Sequence, residues 1–169
     1  MKEIQLSQGK VALVDDADYE WLNQWKWYAE RHRGYLFYAA RNSPMVNSCP
    51  RTRIYMHWLV LGAKGGDHKD GNGLNNQRGN LRGCTHRQNS MNTRPQTGGA
   101  SIYKGVVRER KSKIHPWRAQ IMVQGKNAHL GCYATEGEAA LVYNQKAAEI
   151  FGEFARLNVI GDYKQCLNL

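Results

Sequence analysis

Gly66-Asp67-His68-Lys69-Asp70-Gly71-Asn72-Gly73-Leu74-Asn75-Asn76, continued by Asn80-Leu81-Arg82 and by His86-Arg87-Gln88-Asn89-Ser90-Met91-Asn92, is the stretch on which the reading of this chain turns. A carboxylate stands beside an imidazole, and a Gly/Asn-rich turn follows. Asn80 comes twelve residues after His68 and Asn89 twenty-one after it. The glycines and asparagines tolerate positive φ, so the chain can reverse tightly behind Asp67 and His68. The pattern predicts a short strand, a loop, a second short strand over 81–85 and a helix from about His86, with Asn89 one turn into it. An Asn89 amide oxygen facing Asp67 gives a second oxygen donor, and two such donors with several waters suit a hard divalent cation such as magnesium. A neutral His68 beside them, with an ordinary pKa of roughly 6.5, is a candidate acceptor for a proton from water. Asp70 is the expected turn residue, accepting backbone hydrogen bonds inside the loop.

Together with the upstream Tyr55-Met56-His57-Trp58-Leu59-Val60, the Asp-His, Asn and Asn at these spacings resemble the ββα-metal motif of HNH endonucleases, particularly the homing and phage-encoded branch. The resemblance implies Asp67 and Asn89 as ligands of one magnesium or manganese ion and His68 as general base. It implies Asn80 as the middle asparagine, which braces the loop through backbone hydrogen bonds. Many HNH enzymes carry His at the last position. Asn89 fits the single-magnesium branch better than the zinc-binding one, with His86, one turn earlier, as the alternative. His57, on an apolar helix over 56–61, reads either as a core histidine or as a support for the site or a contact to phosphate.

The charge distribution agrees with a phosphate-backbone partner. The net charge is +10, yet residues 1–50 carry six Lys/Arg and six Asp/Glu, whereas residues 51–100 carry eight against two. The basic excess begins where the motif begins. No run of about eighteen apolar residues is present and the start lacks the layout of a signal peptide, so the expected location is intracellular and off the membrane. Cys49, Cys84, Cys132 and Cys166 have no zinc-knuckle spacing and read as free thiols.

Ahead of the motif, Ile4-Gln5-Leu6 and residues 10–14 flank Ser7-Gln8-Gly9 as a hairpin. Asp15 or Asp16 is placed to cap a short helix carrying Tyr19, Trp21 and Leu22. Trp25, Trp27, Tyr28 and then Tyr35-Leu36-Phe37-Tyr38 suggest two aromatic strands around Gly34, whose rings are expected mostly in the core of a small domain. Behind the motif, residues 93–100 are rich in turn formers and read as a linker whose Arg94 lies along DNA.

Residues 103–108, 117–123 and 127–133 read as three strands, followed by the capping box Thr135-Glu136-Gly137-Glu138 and a helix with small residues on one face. On the middle strand Trp117, Ala119, Ile121 and Val123 share the face under that helix, leaving Arg118, Gln120 and Met122 on the other. Tyr103-Lys104-Gly105-Val106, Trp117-Arg118-Ala119-Gln120-Ile121, His129-Leu130-Gly131 and Leu157-Asn158 resemble the DNA-binding domain of plant ethylene-response factors. That resemblance implies docking of the open sheet face in the major groove. The plant domain usually has Glu and Arg at the places of Gln120 and Met122, and Trp at His129, so its base preference does not transfer.

The expectation is an α+β protein. Residues 1–52 form a small β-rich scaffold, 53–92 a ββα-metal HNH unit and 93–100 a linker. Residues 101–169 form a three-stranded antiparallel sheet packed on one helix. The expected function is that of a phage or mobile-element homing endonuclease: a monomer that nicks double-stranded DNA by phosphodiester hydrolysis. It needs one Mg2+ or Mn2+ and no small-molecule cofactor. The rival readings are a DNA-binding regulator with a decayed nuclease motif and a structural RNA-binding protein.

Overall fold

Apolar residues alternate from the start of the chain: β1 (Lys2–Gln5) buries Ile4, and β2 (Val11–Val14) buries Ala12 and Val14. The two strands pair antiparallel around a tight 3-10 turn at Ser7–Gly9. The structure, a computed structural model, describes residues 1–32, 36–45, 50–95 and 98–161. Of the expectations above, Gly34 and Tyr35, Cys49 and Cys166, part of the 93–100 segment and the last eight residues lie outside that set.

Helix α1 (Asp16–Asn23) follows β2 with Asp15 at the N-cap position. The side chain makes no cap bond, contrary to the sequence expectation. Its carboxylate instead accepts from Gln77 Nε2 at 3.2 Å and from the Arg78 backbone N–H at 2.8 Å, while the Asp18 N–H turns to the Asp15 carbonyl. A partner sixty residues away has outcompeted the local one, as a short polar side chain allows.

β3 (Tyr28–Arg31), β4 (Phe37–Asn42) and β5 (Arg53–Tyr55) form an antiparallel sheet in the order β3-β4-β5. Helix α2 (Met56–Leu61) leaves β5 directly. Next come β6 (Asp67–His68), β7 (Leu81–Arg82) and α3 (His86–Met91). β7 is shorter than the 81–85 expected, because its partner β6 offers only two residues to pair with.

Apolar residues from before and after position 52 fill one core: Ile4, Ala12, Val14, Leu22, Trp27 and Ala39 pack with Met56, Val60 and Leu81. Trp27 is buried, and Trp21 and Trp25 pack partly buried against the same cluster. The loop between β6 and β7 is hung from this core. Leu13 donates its N–H to the Leu74 carbonyl and accepts from the Asn76 N–H, both at 2.8 Å. Arg78 grips both oxygens of the buried Asp18 at 2.8 and 2.7 Å, and Trp21 Nε1 donates to the same carboxylate.

The chain divides into two compact units, Met1–Ser90 and Met91–Leu169. In the second, β8 (Val106–Arg108), β9 (Trp117–Val123) and β10 (Lys126–Tyr133) form an antiparallel sheet in the order β10-β9-β8. The first strand begins at Val106 rather than Tyr103, since Gly105 sits at φ +76° under the Tyr143 ring, where a Cβ would also meet the Gln120 carbonyl at 2.7 Å. Thr135 and Glu138 make the reciprocal capping box that starts α4 (Glu136–Phe151). That helix buries Ala139, Ala140, Tyr143 and Ala147 against Val106, Ala119 and Ile121. Among the described residues, no helix is long and apolar enough to cross a membrane.

The Arg78 clamp has a measurable weight. Arg78→Met strands one buried carboxylate and is expected to lower the stability of the first unit by about 1–3 kcal/mol in urea unfolding followed by tryptophan fluorescence. Asp18→Asn in the same background restores part of the loss. An unchanged midpoint in Arg78→Met would mean that the loop hangs from its backbone bonds alone.

Candidate active site

The two-residue ladder of β6 and β7 sets Asp67 directly opposite Arg82 and His68 opposite Leu81. Gly66 makes the approach possible. It takes φ +131°, and a Cβ there would collide with the Leu61 side chain and lie 3.4 Å from the Arg82 carbonyl. Asp67 is buried, and its Oδ2 accepts from Arg82 Nε at 2.9 Å and Nη2 at 2.6 Å.

Helix α3 brings in Asn89. Thr85 and Gln88 cap its start reciprocally, with the Gln88 N–H on Thr85 Oγ1 at 3.2 Å and the Thr85 N–H on Gln88 Oε1 at 2.9 Å. The Asn89 N–H donates to the Thr85 carbonyl, and its Nδ2 lies 3.5 Å from the carbonyl of Gly66, the residue before Asp67. The amide is exposed at the mouth of the site. The Cys84 thiol is pushed up by burial and then by the Asp67 charge.

Asn80 spans the loop between the strands. Its Oδ1 accepts the Asp70 N–H at 3.1 Å, its Nδ2 donates to Asp70 Oδ1 and to the Asn75 carbonyl at 3.0 and 2.8 Å, and its own carbonyl accepts the Lys69 N–H. Asp70 also accepts from the Asn72 N–H and from Asn75 Nδ2. Burial alone would raise the Asp70 carboxyl; the bonds from Asn72, Asn75 and Asn80 more than reverse this and hold it below the usual carboxylate range.

His68 is 4% exposed, with Nε2 3.4 Å from Asn76 Oδ1. Asn76 is fully buried, and its Nδ2 donates to the Leu74 carbonyl, which leaves Oδ1 turned toward the imidazole. This arrangement favours the tautomer with the proton on Nε2 and the lone pair on Nδ1. Burial pushes the His68 pKa below 6.5, and the Asn76 bond and the Asp70 and Asp67 charges only partly oppose it. His68 is therefore a neutral imidazole near pH 7.

His57 packs its ring 4.9 Å from that of His68, and Tyr38 lies 5.7 Å from His68 and 5.6 Å from His57. His57 is buried on α2, with no hydrogen-bond partner at Nδ1. Burial, with the His68 charge second, pushes its pKa down to about 3. It supports the ring of His68 rather than reaching solvent. Tyr38 is pushed up by burial and then by Asp67.

In the second unit Arg118, Gln120 and Met122 alternate with the buried Ala119 and Ile121, so they occupy the face of β9 away from α4. His129 on β10 pairs directly with Gln120. Met122 is 62% exposed, and Arg118 Nη1 donates to Glu109 at 3.0 Å. Arg94 is exposed in the stretch after α3.

Comparison with known proteins finds relatives of parts of this chain. The chain is 40% identical over 94 residues to an uncharacterized HNH endonuclease of Acanthamoeba polyphaga mimivirus, a match covering 56% of this chain and 46% of that protein. It is 30% identical over 90 residues to protein 3.8 of Escherichia phage T7, covering 53% of this chain and 72% of that protein. The chain belongs to the same family as phage T7 protein 3.8. An AP2-like ethylene-responsive transcription factor of Arabidopsis thaliana is 33% identical over 97 residues, 51% of this chain and 23% of the plant protein. The chain thus spans just under half of the mimivirus endonuclease and less than a quarter of the plant factor. No family model matches it, and no solved structure matches it significantly.

Two residues of this protein 3.8 relative carry weight that its sequence did not assign. Arg82 stands in the quoted motif, but its role follows from the ladder register that a twelve-residue loop sets. Asn76 looked like one more turn former, and its total burial beside His68 is the signal of a second purpose.

His57 makes stability pH-dependent. The unfolded chain protonates it near 6.5 while the native fold resists down to about 3. The unfolded state thus binds the extra proton across that window, and stability present above pH 6.5 is lost as pH falls toward 3. The slope from this group reaches at most about 1.4 kcal/mol per pH unit. His57→Phe is expected to flatten the urea midpoint against pH between those values. A slope identical to wild type would show that His57 charges within the fold.

Proposed function

We propose that this chain is an HNH-type DNA endonuclease that hydrolyses one phosphodiester of duplex DNA per encounter, leaving 5′-phosphate and 3′-hydroxyl ends. The observation that carries the reading is the buried neutral His68, pinned through Nε2 by Asn76, one residue from the Asp67 carboxylate and across from the helix that presents Asn89. With its lone pair on Nδ1, His68 takes the proton of the attacking water. Asn80 holds the loop so that the imidazole keeps its direction.

Asp67 and Asn89 would hold one divalent ion. Their donors are hard oxygens, and among the described residues no three His, Cys, Asp or Glu side chains converge in a closed cage. A carboxylate and an amide with water completing the shell fit magnesium or manganese better than structural zinc. Such an ion supplies charge neutralisation at the phosphate and the departing 3′-oxygen. A single site of this kind per chain makes a monomer a nicking enzyme. The open sheet face carrying Arg118, Gln120, Met122 and His129 docks on the duplex, with Arg94 along the backbone.

Plasmid relaxation with magnesium or manganese tests the chemistry. Wild type is expected to convert supercoiled plasmid to the open circle. His68→Ala is expected to slow this by about two to four decades, and Asp67→Ala to abolish it together with metal binding. Plasmid left supercoiled by wild type with either metal would instead mark a DNA-binding protein whose nuclease motif has decayed.

Docking is tested separately. Arg118→Ala is expected to weaken duplex binding by roughly tenfold, within the 1–3 kcal/mol of a lost base contact. The cutting rate of the saturated complex stays unchanged. Equal binding by wild type and variant in a titration at fixed salt would remove the sheet face from the interface.

A further inference from the structure

Arg82 reaches Asp67 from the facing strand, and its Nε and Nη2 both donate to a single oxygen, Oδ2, at 2.9 and 2.6 Å. The pair is enclosed: 10% of the arginine side chain and 5% of the aspartate side chain are exposed. Water therefore screens little of the field between them. Asn76 and Asn89 are neutral amides, and the further carboxylate of the loop, Asp70, takes hydrogen bonds from Asn72, Asn75 and Asn80.

We propose that Arg82 makes cation binding at Asp67 conditional on the substrate's phosphate: the guanidinium and a divalent ion share one carboxylate, and the phosphodiester brings the negative charge that lets both stay. The inference rests on the reading of Asp67 as a metal ligand. With Arg82 in place, a bound divalent ion leaves this pocket with a net positive excess even with both Asp67 and Asp70 ionised, and each phosphate that enters removes one charge. Arg82 therefore weakens the metal in the free protein and steepens its response to DNA. By thermodynamic reciprocity, the metal strengthens DNA binding by the same factor. Between encounters the guanidinium holds the carboxylate in position, so the site is preformed.

Mn2+ affinity, read by calorimetry or by the electron paramagnetic resonance of the free ion, tests this without turnover. The measurement uses a His68→Ala background, with folding checked by circular dichroism, so that an added short duplex survives. The duplex is expected to tighten Mn2+ binding by about tenfold or more, the size of effect a unit charge exerts at this range. Arg82→Gln is expected to bind Mn2+ about tenfold tighter without DNA and to gain less from the duplex. Arg82→Lys, which keeps the charge, retains the coupling.

A folded Arg82→Gln variant that binds Mn2+ no tighter, or keeps the full duplex effect, overturns the inference while leaving Asp67 as a ligand. If Arg82→Gln does not fold, a folded Arg82→Lys variant without coupling overturns it equally. A parent protein that binds no Mn2+ with or without duplex brings down the metal-ligand reading, and this inference with it.

Discussion

Asp67 and His68 owe their placement to two residues of antiparallel ladder, and a ladder that short has no stability of its own. Its register is imposed from the loop that joins the strands. Asn80 closes that loop on Asp70 and Asn75, the Leu13 backbone takes up Leu74 and Asn76, and Asp15 and Asp18 hold Gln77 and Arg78. A slip of one residue would carry Arg82 away from Asp67 and turn His68 to the opposite face. The hairpin and first helix are thus part of how the site exists, and residues 1–52 are better described as its foundation than as a neighbouring scaffold.

This explains which features were legible beforehand. The strand, loop, strand and helix of the motif are encoded locally, by glycines, asparagines and an apolar pair, so their order could be read directly from residues 66–92. The helical cap Thr135 with Glu138 and the period-two split of β9 into Ala119 and Ile121 against Arg118, Gln120 and Met122 are equally local. What was missed depends on partners distant in sequence. Asp15 looks like a helix cap until Gln77 and Arg78 arrive, and Asn76 looks like a turn former until Leu13 pulls it into the core. The role of Arg82 requires knowing the residue across the ladder, which no spacing within its own strand reveals.

The site also departs from what stability alone would choose. His57 is buried with an orphaned Nδ1, a defect worth about 1–3 kcal/mol, and it lies ring to ring with a second buried imidazole. A leucine or phenylalanine at 57 would fill the same space against Tyr38 and Tyr55 without that cost. Buried polar groups that an apolar side chain would replace with profit concentrate where a protein needs a particular environment. Here the environment is a low-dielectric wall on one side of His68. It keeps the imidazole uncharged and confines its ring, and the Asn76 bond favours the proton on Nε2. The Asp67–Arg82 pair is enclosed as well, and under the proposed reading its poor screening would let a single guanidinium weigh against an incoming cation. Burial at the site would thus serve the proposed proton transfer and cation binding together, on a fold whose apolar residues, from Ile4 to Leu81, pack in one core.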